Sequence, residues 1–210
     1  AFSNKVSASR EYYGLGKMVT VDELVDVIQS EGIEPALTSI EISGDLGEGG
    51  NLDNTKNIEP KTIAKVSNIG IFKNDKLVSF LSENGSLGYT YLTNKINDST
   101  IVVTKDDGIL VSIEVYESKT KKKFQFEDNK LKIKLTINFE GSISEDLSSQ
   151  IKYDQEYIKD ITDKTAYEIR ALCEEAINQA KEFKVDIFGF GYDIYLKHYQ
   201  YWQKIKDNYN

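Results

Sequence analysis

The chain has 210 residues, 40% of them hydrophobic and 29% charged, a mixture that excludes a disordered or fibrous polymer. A formal net charge of -8 argues against a general phosphate-binding surface, so no nucleic acid is expected as a partner. The single cysteine, Cys173, rules out an internal disulfide, and no apolar run approaches the ~20 residues of a membrane-spanning helix.

Residues 1–19 lack clear periodicity and read as a linker. No basic n-region or apolar h-region follows Ala1, so no signal peptide is expected there, and a start at Ala rather than Met reads as a processed chain or a fragment. Residues 20–210 read as a single α+β domain. Thr20 is an N-cap ahead of Asp22 and Glu23, with Leu24, Val27 and Ile28 as a short helical stripe and Gly32 as its stop. Leu37 to Ile42 reads as a strand. Gly44 to Pro60 is a polar, glycine-rich loop of a length that is either flexible surface or functional.

Ala64 to Phe72 and Leu77 to Leu81 form a predicted hairpin with Lys73-Asn74-Asp75-Lys76 at its tip. Glu83 to Lys95 follows as a short helix. Ser99 to Thr104 and Leu110 to Glu117 are strands around the turn Asp106-Asp107-Gly108. Phe124 and Phe126 suggest a short strand. The lysines at 119, 121, 122 and 123 read as a solvated strand end. Leu131 to Phe139 alternates apolar and polar residues without exception, which requires one buried and one wet face.

From Asp154 to Lys184 runs one long amphipathic helix, with Ile158, Ile161, Ala166, Ile169, Leu172, Ala176, Ala180 and Phe183 at three-to-four spacing. Asp186 is read as the cap of a further helix near Ile187. Ile194, His198, Trp202 and Ile205 predict two short C-terminal helices. The expected fold is α+β: a largely antiparallel, meandering sheet covered on one face by the long helix, with short helices at both ends.

No chemistry can be assembled from these residues. His198 and Cys173 are too few for a Cys/His metal site. The loop from Gly44 to Gly50 has no phosphate-binding ending, and Asp45 and Glu48 would repel phosphate. Cys173 reads as a small buried hydrophobe rather than a partner of His198. No catalytic, cofactor-binding or metal-ligating residue is assigned and no cofactor is expected. The aromatic set Tyr192, Tyr195, Tyr199, Tyr201, Trp202 and Tyr209 suits either core closure or a protein interface.

Several stretches together resemble one family. Gly70-Ile71-Phe72-Lys73-Asn74-Asp75-Lys76-Leu77-Val78 is similar to a hairpin of the Ger(x)C family, the GerAC-like C subunits of spore germinant receptors. Glu83, Gly88 and Leu92 fit its following helix, and Asn129-Lys130-Leu131 its late hairpin. The long helix, then Asp186-Ile187-Phe188-Gly189-Phe190-Gly191, Trp202, Ile205 and Tyr209, resembles its C-terminal end. Tyr199-Gln200 and Tyr209 depart from a proline and a second tryptophan common in the family, and Ser79 from a glycine.

The resemblance implies the C-terminal part of a lipoprotein subunit that is not an enzyme. Its implied partners are the membrane-embedded A and B receptor subunits. Its implied place is the outer face of the spore inner membrane, held by an N-terminal lipid that this chain does not carry. The expected contact surfaces are the loop from Gly44 to Pro60 and the exposed members of the tyrosine set. The alternatives are a domain binding a small molecule or cell-wall fragment, and a carboxylate hydrolase.

Overall fold

A computed structural model describes residues 19–45, 47, 61–96, 98–128, 130–148 and 153–209. The linker over 1–18 and most of the glycine-rich loop lie outside these. Helix α1, Val21–Gln29, starts at a capping box. The Thr20 hydroxyl accepts from the Glu23 amide at 3.2 Å, and Glu23 accepts from the Thr20 amide at 2.9 Å. The predicted stripe is not buried. Leu24 and Val27 are half-covered, while Val21, Val25 and Ile28 face outward.

Strand β1 (Ala36–Gly44) pairs antiparallel with β2 (Thr62–Lys73), which pairs with β3 (Lys76–Phe80). Asn74 takes φ 55 at the tight turn between β2 and β3, where the lysine-flanked tip was predicted. A second antiparallel sheet follows: β4 (Ser99–Thr104), β5 (Leu110–Glu127) and β6 (Lys130–Asp146), in that order. The expected antiparallel sheet is thus present in two pieces. The predicted strand ending at Glu117 and the short one at Phe124 and Phe126 are a single strand, β5. Lys119 to Lys123 therefore sits inside β5 and is not a strand end, because β6 continues to pair with it as far as Glu127.

Between the sheets lies α2, Glu83–Leu92, with Ser82 accepting from the Gly85 amide at 2.9 Å. It is buried nearly all round and packs on β2, β5 and the long helix α3, Gln155–Glu182. Asp154 caps α3 through the Tyr157 amide, at 2.9 Å. Twenty-eight residues make α3 about 42 Å long. Its buried stripe is Ile161, Thr165, Ile169, Cys173, Ala176 and Ala180; Ile158 and Ala166, expected in it, are exposed. The difference arises because α3 also packs against α2, so its inward face includes Thr165 and Cys173.

The chain closes with α4 (Phe190–Lys197), α5 (Tyr199–Ile205) and a 3-10 turn (Lys206–Asn208). The two helices break at His198, as the two-helix reading expected. Asp186 does not cap a helix at Ile187. α4 begins three residues later, after Gly189 in the left-handed region at φ 70, and Asp186 reaches forward to it. The fold is α+β.

Candidate interaction surface

Among the described residues strand β6 is an edge, paired only to β5. Glu127 and Lys130 flank a two-residue turn with Asp128 at φ 50, a geometry that makes their pair hydrogen-bonded and the next pair, Phe126 and Leu131, not. By alternation, the N–H and C=O groups of Leu131, Ile133, Leu135, Ile137 and Phe139 point away from β5. The Leu131 amide donates outward to the Tyr201 hydroxyl at 3.3 Å. The other four residues meet no protein partner there among the described residues.

The side chains of those same residues turn beneath the sheet and are only half-buried. Helix α3 stands over β4 and α2, so it leaves β6 partly uncovered. The result is an apolar groove between β6 and α3. One cavity, of 530 Å³, is lined by Ile133, Leu135, Ile137 and Phe139 against Ala166 and Ile177, with Arg170 and Glu174 at its rim. A second, of 660 Å³, continues past Phe139 to Ile143, Tyr116 and Ile158.

The opposite face of the same ribbon is basic in its middle, between the Glu117–Glu140 pair at one end and Glu127 at the other. Lys119, Lys121 and Lys123 of β5 and Lys132 and Lys134 of β6 are exposed at alternating positions. Lys123 lies directly across from Lys134. Lys132 pairs with Glu127 at 2.5 Å, and the other four make no ion pair among the described residues. Lys122, with opposite parity, is not part of the solvated run. It donates to the Phe188 carbonyl (2.8 Å) and Asp193 (2.9 Å) and lies 5.1 Å from the Phe190 ring. Burial alone would lift the Asp193 carboxyl, but hydrogen bonds from Lys197 and Lys122 outweigh it and hold the group below its usual range.

The predicted tyrosine set divides. Trp202 is buried and donates to Glu31 at 2.7 Å; Tyr209 donates to buried Asp186 at 2.8 Å. Burial first, then the Asp186 charge, raises the Tyr209 hydroxyl well above its ordinary value. Tyr199 is exposed, while Tyr192, Tyr195 and Tyr201 are half-buried. Tyr201 and His198 pack edge-on against Phe126 at the ribbon's end. Of the predicted loop, Gly44 takes φ 105 where a Cβ would strike the Lys61 carbonyl at 1.9 Å. Most of that loop, the other expected contact surface, falls outside the described residues.

Cys173 and His198 occupy different neighbourhoods. The thiol packs on the Gly88 carbonyl at 3.8 Å, and burial pushes it up to about 12. No group of three or more His, Cys, Asp or Glu that could hold a metal ion occurs among the described residues. Sequence reasoning missed the groove and its edge. The signal was present in the alternation from Leu131 to Phe139, whose apolar side has more surface than one helix stripe covers.

A family described as Spore germination B3/GerAC like, C-terminal, matches residues 67–210. The chain is 25% identical over 222 residues to spore germination protein KC of Bacillus subtilis (strain 168), covering 99% of this chain and 53% of that protein. It is 30% identical over 108 residues to spore germination protein A3 of the same organism, covering 50% of this chain and 29% of that one. The chain spans about half or less of the length of these curated relatives. The crystal structure of the GerBC protein matches with a TM-score of 0.66 at 22% identity, over 85% of this chain and 51% of that one, a likeness of fold.

Proposed function

The chain belongs to the spore germination B3/GerAC-like family, and we propose on that ground that it serves as a non-enzymatic accessory subunit of a nutrient germinant receptor. It works through protein-protein contacts with membrane-embedded A and B subunits at the outer face of the spore inner membrane. An N-terminal lipid on the longer protein holds it there. No helix among the described residues is long and apolar enough to cross a membrane; an acyl chain joined by a second contact is sufficient to hold a domain at a bilayer surface.

The observation that carries the contact reading is the β6 edge with its apolar groove, a surface suited to docking. A cell-wall fragment would need converging polar groups, whereas the groove floor of Ile133, Leu135, Ile137 and Phe139 is apolar. Affinity capture of the tagged protein from detergent-solubilised spore membranes tests the proposal. Recovery of A or B subunits is expected, and their absence would overturn it.

A further inference from the structure

We propose that β6 receives a fourth strand from a partner protein, an extended segment in which apolar and acidic residues alternate. This rests on the protein-contact reading above and names the chemistry of the contact. With the Leu131 amide taken by Tyr201, the outward amides and carbonyls from Ile133 to Phe139 form a template roughly 20 Å long, enough for about seven residues. A strand laid there is forced into period two. Its side chains of one parity continue the groove floor beside Ile133, Leu135, Ile137 and Phe139 and fill the 530 Å³ cavity below. Those of the other parity stand beside Lys132 and Lys134.

Charge selects the partner. Lys123 opposite Lys134 is a like-charged cross-strand pair, which is unfavourable in the free chain, and Lys119 and Lys121 extend the same field. An acidic strand relieves that repulsion. A second copy of β6 would instead bring lysines up against lysines. A lipid surface would neutralise the charge but leave the edge amides and the groove unused. Lysine on an edge also discourages promiscuous pairing, so the same residues reject neutral strands and admit an acidic one.

The test uses the whole chain and two dye-labelled seven-residue peptides, one alternating Glu with Val, the other Lys with Val. Fluorescence anisotropy is expected to show binding of the Glu/Val peptide alone. NMR hydrogen exchange at the Ile133, Leu135 and Ile137 amides should slow by about tenfold or more at saturation. Lys132→Glu combined with Lys134→Glu should weaken the Glu/Val peptide about tenfold and admit the Lys/Val peptide, a gain that a misfolded chain would not show. Ile137→Pro removes an outward donor while sparing the ladder to β5, and should also weaken binding.

No binding of the Glu/Val peptide, binding that survives the double substitution, or unslowed amides would overturn the proposal. So would phosphatidylglycerol vesicles that bind through these lysines when the peptide does not. If the peptide fails while membrane capture still recovers receptor subunits, the added strand falls and the contact reading stands. If the peptide binds while capture fails, the reverse holds.

Discussion

Asp186 is a buried carboxylate with three donors on it: the Phe188 amide at 2.9 Å, the Gly191 amide at 2.6 Å and the Tyr209 hydroxyl at 2.8 Å. Removing the acceptor strands all three. Each unmet buried donor costs about 1–3 kcal/mol, so Asp186→Ala should lower unfolding free energy by at least ~3 kcal/mol in urea. Asp186→Asn, which keeps one acceptor oxygen, should fall in between. From sequence the residue read as a helix cap; its bond to Tyr209, 23 positions on, carries no local signal. Asp193 makes a prediction about acid. Its folded pKa lies below the unfolded value of about 3.9, so its contribution is present above that pH and lost as pH falls through the folded value. Urea titrations between about pH 5 and 2 should show a shallower loss of stability in Asp193→Asn than in the parent. Cys173, raised by burial, should resist a thiol reagent at pH 8 until the chain is unfolded in urea. Labelling of the native chain at the rate of an exposed thiol would contradict the structure.

At the scale of elements, both the long helix and the short one at Glu83 were legible, but the burial of the short one on nearly every side was not. α3 announces itself by its cap and stripe. α2 reads as a weak helix because Gly85, Ser86, Gly88 and Thr90 fill its buried positions, and periodicity arguments look for large apolar residues. Those small residues are what allow it to touch everything. The Ser86 hydroxyl accepts from the Ile69 amide at 3.0 Å in the first sheet, and the Tyr91 carbonyl accepts from Thr120 at 2.8 Å in the second. The Asn94 side chain pairs with both backbone groups of Thr120, closing the edge of β5 where β4 has ended. At Gly88 the backbones of α2 and α3 come so close that an added Cβ would stand 2.0 Å from the Leu172 carbonyl oxygen. In an exposed helix, Gly→Ala stabilises by about 1 kcal/mol. Here the sign should reverse, with Gly88→Ala costing about 1–3 kcal/mol as the helices are forced apart. A midpoint in urea that rises would refute the close crossing. The length of β5 was also hidden, because Ser118 to Lys123 is wholly polar and only pairing with β6 makes it a strand.

At the scale of the molecule, the two sheets share one buried core but meet chiefly through other elements rather than strand on strand, so the connections between them decide whether the chain behaves as one unit. α2 is one connection. The other is a polar clasp between the segment after α1 and the C-terminal end. The Glu34 amide donates to the Asp186 carbonyl at 2.7 Å, and the Tyr192 amide to the Gly32 carbonyl at 2.8 Å. Glu34 accepts from the Asn74 amide at the β2–β3 turn (2.8 Å), and Glu31 accepts from Trp202. Gly32 and Gly191 meet backbone to backbone, so neither tolerates a side chain. Trp202 is the only tryptophan and is 4% exposed, so its fluorescence reports on the clasp, while far-UV circular dichroism is dominated by the helices and sheets. If residues 20–210 are one domain, as the sequence reading holds, both signals should change together in urea with one midpoint. Glu31→Gln should leave them coincident while shifting that midpoint down, because the clasp is part of the cooperative unit. Were the clasp only a surface latch, Glu31→Gln would release the tryptophan signal at a lower urea concentration than the dichroism. The first sheet and α1 would then have to be treated as a separate unit from the ribbon and its helices.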